Sequence, residues 1–127
     1  MSDVVLDSSA ILAVLRHEPG GAALAPLLSD AAVSTVNLAE VLGRLVLLGQ
    51  DLEDARRAVD VLSMRHVPLD DRQAADTAAL LPLTKPFGLS LGDRACLALA
   101  RAESLPVLTA DRAWASLAIG VEIRMIR

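Results

Sequence analysis

Aromatic side chains are almost missing from this sequence: one Trp, one Phe and no Tyr make up 2% of its 127 residues. A binding surface of stacked aromatics is thereby excluded, and the core falls to Leu, Val, Ala and Ile. Cysteine is reduced to Cys96, which cannot form an internal disulfide and sits in an apolar run where a buried thiol is expected. Lysine is reduced to Lys85, so phosphate contacts would fall to arginine. Long hydrophobic runs are missing as well. Mean hydropathy is +0.48, yet the longest stretch without a charge runs only from Pro19 to Ser29, with two glycines and a proline inside it. A spanning helix needs about twenty apolar residues, so no membrane partner is expected. The opening Met1-Ser2-Asp3 lacks the basic segment of a signal peptide, and cytoplasmic residence is the expectation. Basic charge is not in excess: 12 Lys and Arg face 16 Asp and Glu, for a net charge of −4. That disfavours affinity for nucleic acid through a broad basic face. It leaves open an enzyme that holds nucleic acid through a metal.

An apolar fraction of 54% with 22% charged residues describes a chain that folds, and the length fits one domain, taken as 1–127. Short apolar strands alternate with helices. Val4-Val5-Leu6 reads as a strand ending at Asp7, followed by a helix from Ser8 to Leu15 that stops near Pro19-Gly20-Gly21. A short helix over Leu24 to Leu28 leads to a second strand, Ala32-Val33-Ser34. A long apolar helix spans Val36 to Leu48, and another runs from Asp51 to about Met64. His66 to Leu69 is a third strand, and Asp70 caps a helix through Leu81. Beyond Pro86-Phe87-Gly88 come a helix from Ser90 to about Glu103 and a fourth strand, Pro106 to Thr109. A helical turn from Ala113 to Leu117 and a fifth strand, Val121 to Ile126, complete the pattern. Strands that are apolar throughout, separated by helices, predict an α/β fold with a central five-stranded parallel sheet flanked by helices on both faces. Ligands of such sheets bind beyond the carboxyl ends of the strands.

Four acids are expected at that edge. Asp7 follows the first strand, Glu40 comes six residues after the second, Asp93 lies in the first turn after Ser90, and Asp111 follows the fourth strand. Three of them have a local explanation: Asp7 as a cap at Ser8-Ser9, Asp93 in a capping box with Ser90, and Asp111 as a cap before Trp114. Asp30, Asp51 and Asp70 are given the capping reading alone. Glu40 is different. It lies mid-helix among aliphatic residues, on one polar stripe with Asn37 and Arg44. A solvated stripe with a Glu40–Arg44 ion pair, worth roughly 0.2–0.5 kcal/mol, is one account. Because most of this helix reads as buried, a stripe lining a cleft is the other. Carboxylates gathered together call for a cation. With His17 and His66 in other segments, the ligands would all be oxygens, which selects Mg²⁺ or Mn²⁺ over zinc. Phosphodiester hydrolysis suits that arrangement.

These segments resemble a known family. Val4 to Ala13 looks like the opening of a PIN-domain protein of the VapC toxin type, and Val33 to Val41 is similar to that family's second motif. Leu89 to Ala98 and Val107 to Arg112 resemble the third and fourth. The resemblance implies a PIN-like fold and a metal-dependent endoribonuclease acting on RNA. It also implies a homodimer, the toxin of a type II toxin–antitoxin pair, neutralised by a VapB-type antitoxin. Carried over, Asp7, Glu40, Asp93 and Asp111 form the catalytic, metal-holding cluster, with Asp7 and Asp93 as direct ligands. Ser9, Asn37 and Thr109 become supporting groups at its rim, and Trp114 fills an aromatic slot after the fourth acid. Arg94 and Arg112, beside cluster acids, are the arginines to test first for substrate binding. Two alternatives compete. One is a receiver-like domain with an acidic pocket, which would need an acceptor such as Asp70 or Asp71 after the third strand. The other is a catalytically silent interaction module, for which Leu45 to Leu48, Val59 and Leu62 would supply an apolar patch.

Overall fold

The structure, a computed structural model, describes residues 2–127. Five short strands form its sheet: β1 (Val4–Leu6), β2 (Ala31–Ser34), β3 (Arg65–Val67), β4 (Val107–Thr109) and β5 (Ile123–Met125). Their order is β3-β2-β1-β4-β5, and every neighbouring pair is parallel. The helices are α1 (Ser8–Leu15), α2 (Thr35–Leu47), α3 (Leu52–Asp60), α4 (Asp71–Ala79), α5 (Leu81–Thr84) and α6 (Leu91–Glu103). The chain therefore has the expected α/β architecture.

Alternate residues of a strand face opposite ways, and β1 divides its three between two cores. Val4 and Leu6 join Ile11, Val33, Val41, Leu45 and Val59 on one face. Val5 joins Leu80, Leu97, Leu99, Val107 and Trp114 on the other. Each large apolar side chain buried this way stabilises the fold by about 1.5–3 kcal/mol. The loop after α1 returns beside the end of β5. Gly20 makes that passage possible, with φ of +88° and a site where a Cβ would stand 2.2 Å from the Ile126 carbonyl oxygen.

The strand order removes one competing reading. A receiver-like domain has the order 2-1-3-4-5, with its third strand in the middle of the sheet. Here β3 is the margin, so Asp70 and Asp71 follow an edge strand and not the central one. Asp70 is a cap, accepting from the Gln73 N–H at 2.9 Å.

Several element boundaries differ from the sequence reading. The helix expected to reach Met64 ends at Asp60, where Ser63 turns the chain with φ of +57°. The helix expected from Asp70 through Leu81 breaks at Leu80, because Pro82 forces a restart as α5. Leu24 to Leu28 lies in a longer 3₁₀ helix, Ala22–Asp30, which Pro26 keeps from becoming α-helical. The turn expected over Ala113 to Leu117 is a 3₁₀ helix, Arg112–Trp114. Asp30 ends a helix rather than starting one, and α2 is capped by Ser34 instead. The α2 helix is also less buried than its composition suggested. Only Asn37, Val41 and Leu45 are buried, while Val46, Leu47 and Leu48 are exposed. Of the apolar patch assigned to an interaction module, Leu45 and Val59 are thus core residues. Among the described residues no helix is long and apolar enough to cross a membrane.

Candidate active site

Strand ends and helix starts share one edge of this sheet, and local chemistry fixes each acid there. Asp7 leaves β1 and caps α1, its Oδ1 accepting from the Ala10 N–H at 3.0 Å and the Ser9 hydroxyl at 2.7 Å. Its Oδ2 accepts from the Thr109 hydroxyl at 2.8 Å, which ties the end of β1 to the end of β4. Ser9 accepts in turn from the Ala110 N–H at 2.9 Å, and Thr109 from the Asp111 N–H at 3.0 Å. Asp111 Oδ1 accepts from the Ala113 N–H at 3.0 Å. The capping reading of Asp7 and Asp111 is correct, and for Asp7 it is not the whole account. Asp7 is only 3% exposed. A simple cap on a short helix would remain in water.

On the opposite side of the cleft Glu40 Oε1 accepts from the Ser8 hydroxyl at 2.6 Å and from the Asn37 side-chain amide at 3.0 Å. That amide also donates to the Gly92 carbonyl at 3.0 Å, so buried Asn37 joins α2 to the first turn of α6. Of the two accounts of the polar stripe, the one that pairs Glu40 with Arg44 is not realised: among the described residues no such ion pair is formed. Glu40 turns toward α6 instead, and its carboxylate lies against Gly92, where a Cβ would stand 2.3 Å from Oε2. Asp93 completes the capping box with Ser90, its Oδ2 accepting from the Ser90 N–H at 2.9 Å.

The carboxylates sense one another. Burial pushes the Asp7 carboxyl up from 3.8 to about 6, and the charge on Asp93 adds to that; the three hydrogen bonds from Ser9, Ala10 and Thr109 oppose it. Asp93 is raised by burial, and by Asp111 and Glu40, against the lowering effect of Ser90. Cys96, one turn further along α6, is fully buried; burial first, then Asp7, Asp93 and Glu40, push its thiol upward and leave it inert. Among the described residues none of the four acids is in an ion pair.

The donors fit a hard cation, since all are oxygens. Among the described residues no three of Asp, Glu, His or Cys stand close enough to enclose an ion. Mg²⁺ does not require such a cage. It binds through one or two carboxylates, keeping waters or taking phosphate oxygens.

The arginines divide. Arg94 is half-buried and donates from Nη1 to the Thr77 carbonyl at 3.2 Å, while Arg112 is exposed. Trp114 is fully buried and belongs to the core rather than to the cleft. Two further residues shape the site. Ser8 reads in the sequence as a helix start, yet its hydroxyl holds Glu40. Gly92 carried a visible signal, a glycine in the first turn of a helix where it costs about 1 kcal/mol relative to Ala.

The pattern for the PIN domain matches residues 4–120 of the chain. No curated protein matches it. Among solved structures, a DNA-bound VapBC from Salmonella typhimurium is 16% identical, with each chain covered in full and a TM-score of 0.73. A toxin–antitoxin complex from Klebsiella pneumoniae is 19% identical, covering 95% of this chain and 100% of that one, with a TM-score of 0.72. VapBC-5 from Mycobacterium tuberculosis, a member of the VapBC family of toxin–antitoxin systems, is 27% identical over 100% and 99%, with a TM-score of 0.60.

Proposed function

Since this chain belongs to the PIN-domain family, we propose that it is a metal-dependent endoribonuclease, the toxin of a type II toxin–antitoxin pair. In that role it acts in the cytoplasm as a homodimer and is silenced by a VapB-type antitoxin. One observation carries the nuclease reading: carboxylates from four separate segments stand at the carboxyl edge of a parallel sheet, coupled in charge and, among the described residues, in no ion pair. The antitoxin is supported by the related folds, which come from toxin–antitoxin complexes.

Asp7 and Asp93 would hold Mg²⁺ or Mn²⁺, with Glu40 and Asp111 beside them. When bound, such an ion neutralises the scissile phosphate and makes a water more acidic. The residues do the rest. Ser9, Ala10 and Thr109 fix the Asp7 carboxylate in one orientation, so no reorganisation is needed when substrate arrives. Glu40, anchored through Oε1, keeps Oε2 to orient the attacking water and accept its proton. The water oxygen adds to phosphorus as the bond to the departing 3′ oxygen breaks. Arg94 and Arg112 contact neighbouring phosphates.

The test uses purified parent, Asp7→Asn and Asp93→Asn with total RNA, in Mn²⁺ and in chelator. Discrete products from the parent in metal alone are expected, with at least about a hundredfold loss in both variants. Cleavage at the parent rate by a folded Asp93→Asn variant would sink the assignment. Growth after induced expression reads the toxin role: arrest by the parent and none by Asp7→Asn.

A further inference from the structure

We propose that the cleft between α4 and α6 holds one ribose-phosphate unit of the RNA, a few nucleotides from the cut, with Arg72 and Arg101 on its phosphate and Asp76 on its 2′-hydroxyl. The inference rests on the ribonuclease reading and adds a second place where the chain grips its substrate. Helix α4 packs along α6, and the cleft at their seam has a volume of about 260 Å³. Buried Leu80 and Ala98 form its floor, while Ala79 and Ala102, both small, leave its rim open. Asp93 lies in the first turn of α6 and Arg101 stands eight residues further on, about 12 Å along the helix axis. A strand that reaches the acids can therefore reach the cleft.

The charges of the cleft do not balance. Arg72 and Arg101 come from different helices, and both are exposed. Asp76, half-buried and one helical turn after Arg72, is the one acid in the lining. Among the described residues none of the three is in an ion pair. On α3, by contrast, Arg56 and Arg57 each pair with the acid three residues before them. Helix electrostatics gives no reason for Arg72 either, since it stands in the first turn of α4, where the dipole disfavours a cation. Two guanidiniums lining one cleft repel each other, and with one carboxylate beside them they leave a single positive charge. A phosphodiester carries a single negative charge and offers paired oxygens to a planar guanidinium. A phosphate alone would set Asp76 against an anion. The ribose hydroxyl next to the phosphate removes that conflict, because it donates to the carboxylate. Deoxyribose has no such hydrogen, so the cleft distinguishes RNA from DNA.

The experiment follows binding of labelled oligouridylate and oligodeoxyuridylate to Asp7→Asn by fluorescence anisotropy. The ribose strand is expected to bind about tenfold tighter. Adding Asp76→Ala should close that gap by raising the affinity of the deoxyribose strand, a gain that misfolding cannot produce. Adding Arg72→Ala and Arg101→Ala instead should weaken both strands about tenfold and lower the slope of log affinity against log salt by about 0.7. A ribose preference that survives Asp76→Ala, or an arginine variant with unchanged affinity and slope, overturns the proposal. Uridine monophosphate that binds as tightly as the strand would make the cleft a site for free nucleotides and overturns it too. Cleavage in Mn²⁺ separates this failure from that of the nuclease reading. A dinucleotide is too short to reach the cleft, so the parent and the chain carrying only Arg72→Ala and Arg101→Ala should cut it at the same rate; loss in the variant would place the arginines at the acids and sink the cleft. A parent that cuts no RNA, with the binding pattern intact, sinks the nuclease reading and leaves the cleft standing.

Discussion

Asp7 combines two states that rarely coexist in one aspartate: it is a helix cap with three hydrogen bonds, and burial still lifts it to about 6. An acid whose folded value lies above its unfolded 3.8 binds a proton more tightly in the folded state. The metal-free protein therefore gains stability as pH falls through 6 toward 4 and loses it as pH rises through the same window, by about 3 kcal/mol in all. Asp93 acts in the same direction. Asp7→Asn removes the charge, so in chelator at pH 8 the variant should be more stable than the parent by about 1–3 kcal/mol, with the gap closing near pH 4. Urea unfolding of both proteins at pH 5 and pH 8 checks this. A variant less stable at both values would mean that the carboxylate's hydrogen bonds outweigh its burial.

Gly92 poses the opposite problem, with little at stake for the fold and much for the site. Alanine there gains up to about 1 kcal/mol of helix propensity, which offsets the hydrogen bonds to Ser8 and Asn37 that the exposed Glu40 side chain gives up as its carboxylate moves out of the way of the new Cβ. Gly92→Ala should therefore leave the melting temperature unchanged or raised while cutting RNA cleavage at least about tenfold. Loss of folding together with activity would refute this division.

Among the elements, α6 depends most on its first turn. Ser90 accepts from the Asp93 N–H, and Asp93 accepts in return. Ser90→Ala should cost about 1 kcal/mol in chemical unfolding, and an unchanged midpoint would show the box to be idle. What the sequence disclosed about these elements followed from strong local physics. Val4-Val5-Leu6 and Val107 to Thr109 are buried on both faces, and a parallel sheet demands such runs. What it concealed was tertiary. Arg65 and His66 are exposed because β3 is a margin, so that strand carries little of the apolar signal and lies one to two residues before the span His66 to Leu69 that the sequence suggests. The exposed Val46, Leu47 and Leu48 are indistinguishable by type from buried Val41 and Leu45. Glu40 stands out as a misfit in an apolar helix, and Asn37, one of its two anchors, shares its polar stripe; the other anchor, Ser8, lies in α1 and leaves no mark near it.

At the scale of the molecule, the cluster stores electrostatic strain that a divalent ion would relieve. Adding Mn²⁺ at about a hundred times its dissociation constant should stabilise the parent by about 2.7 kcal/mol. Calorimetric melting should show that gain, and Asp93→Asn should show much less. An equal rise in both proteins would place the ion elsewhere.

The order of the sheet also governs when this chemistry can begin. Of the five strands the earliest in the chain, β1, occupies the centre of the sheet, and its β4 neighbour and the partner of Asp7, Thr109, follow a hundred residues later. Until Asp111 has emerged, a nascent chain possesses helices and four of the five strands but an incomplete set of acids. On the nuclease reading proposed above, a fragment that ends before Asp111 should cut no RNA, and activity should arrive only late in synthesis.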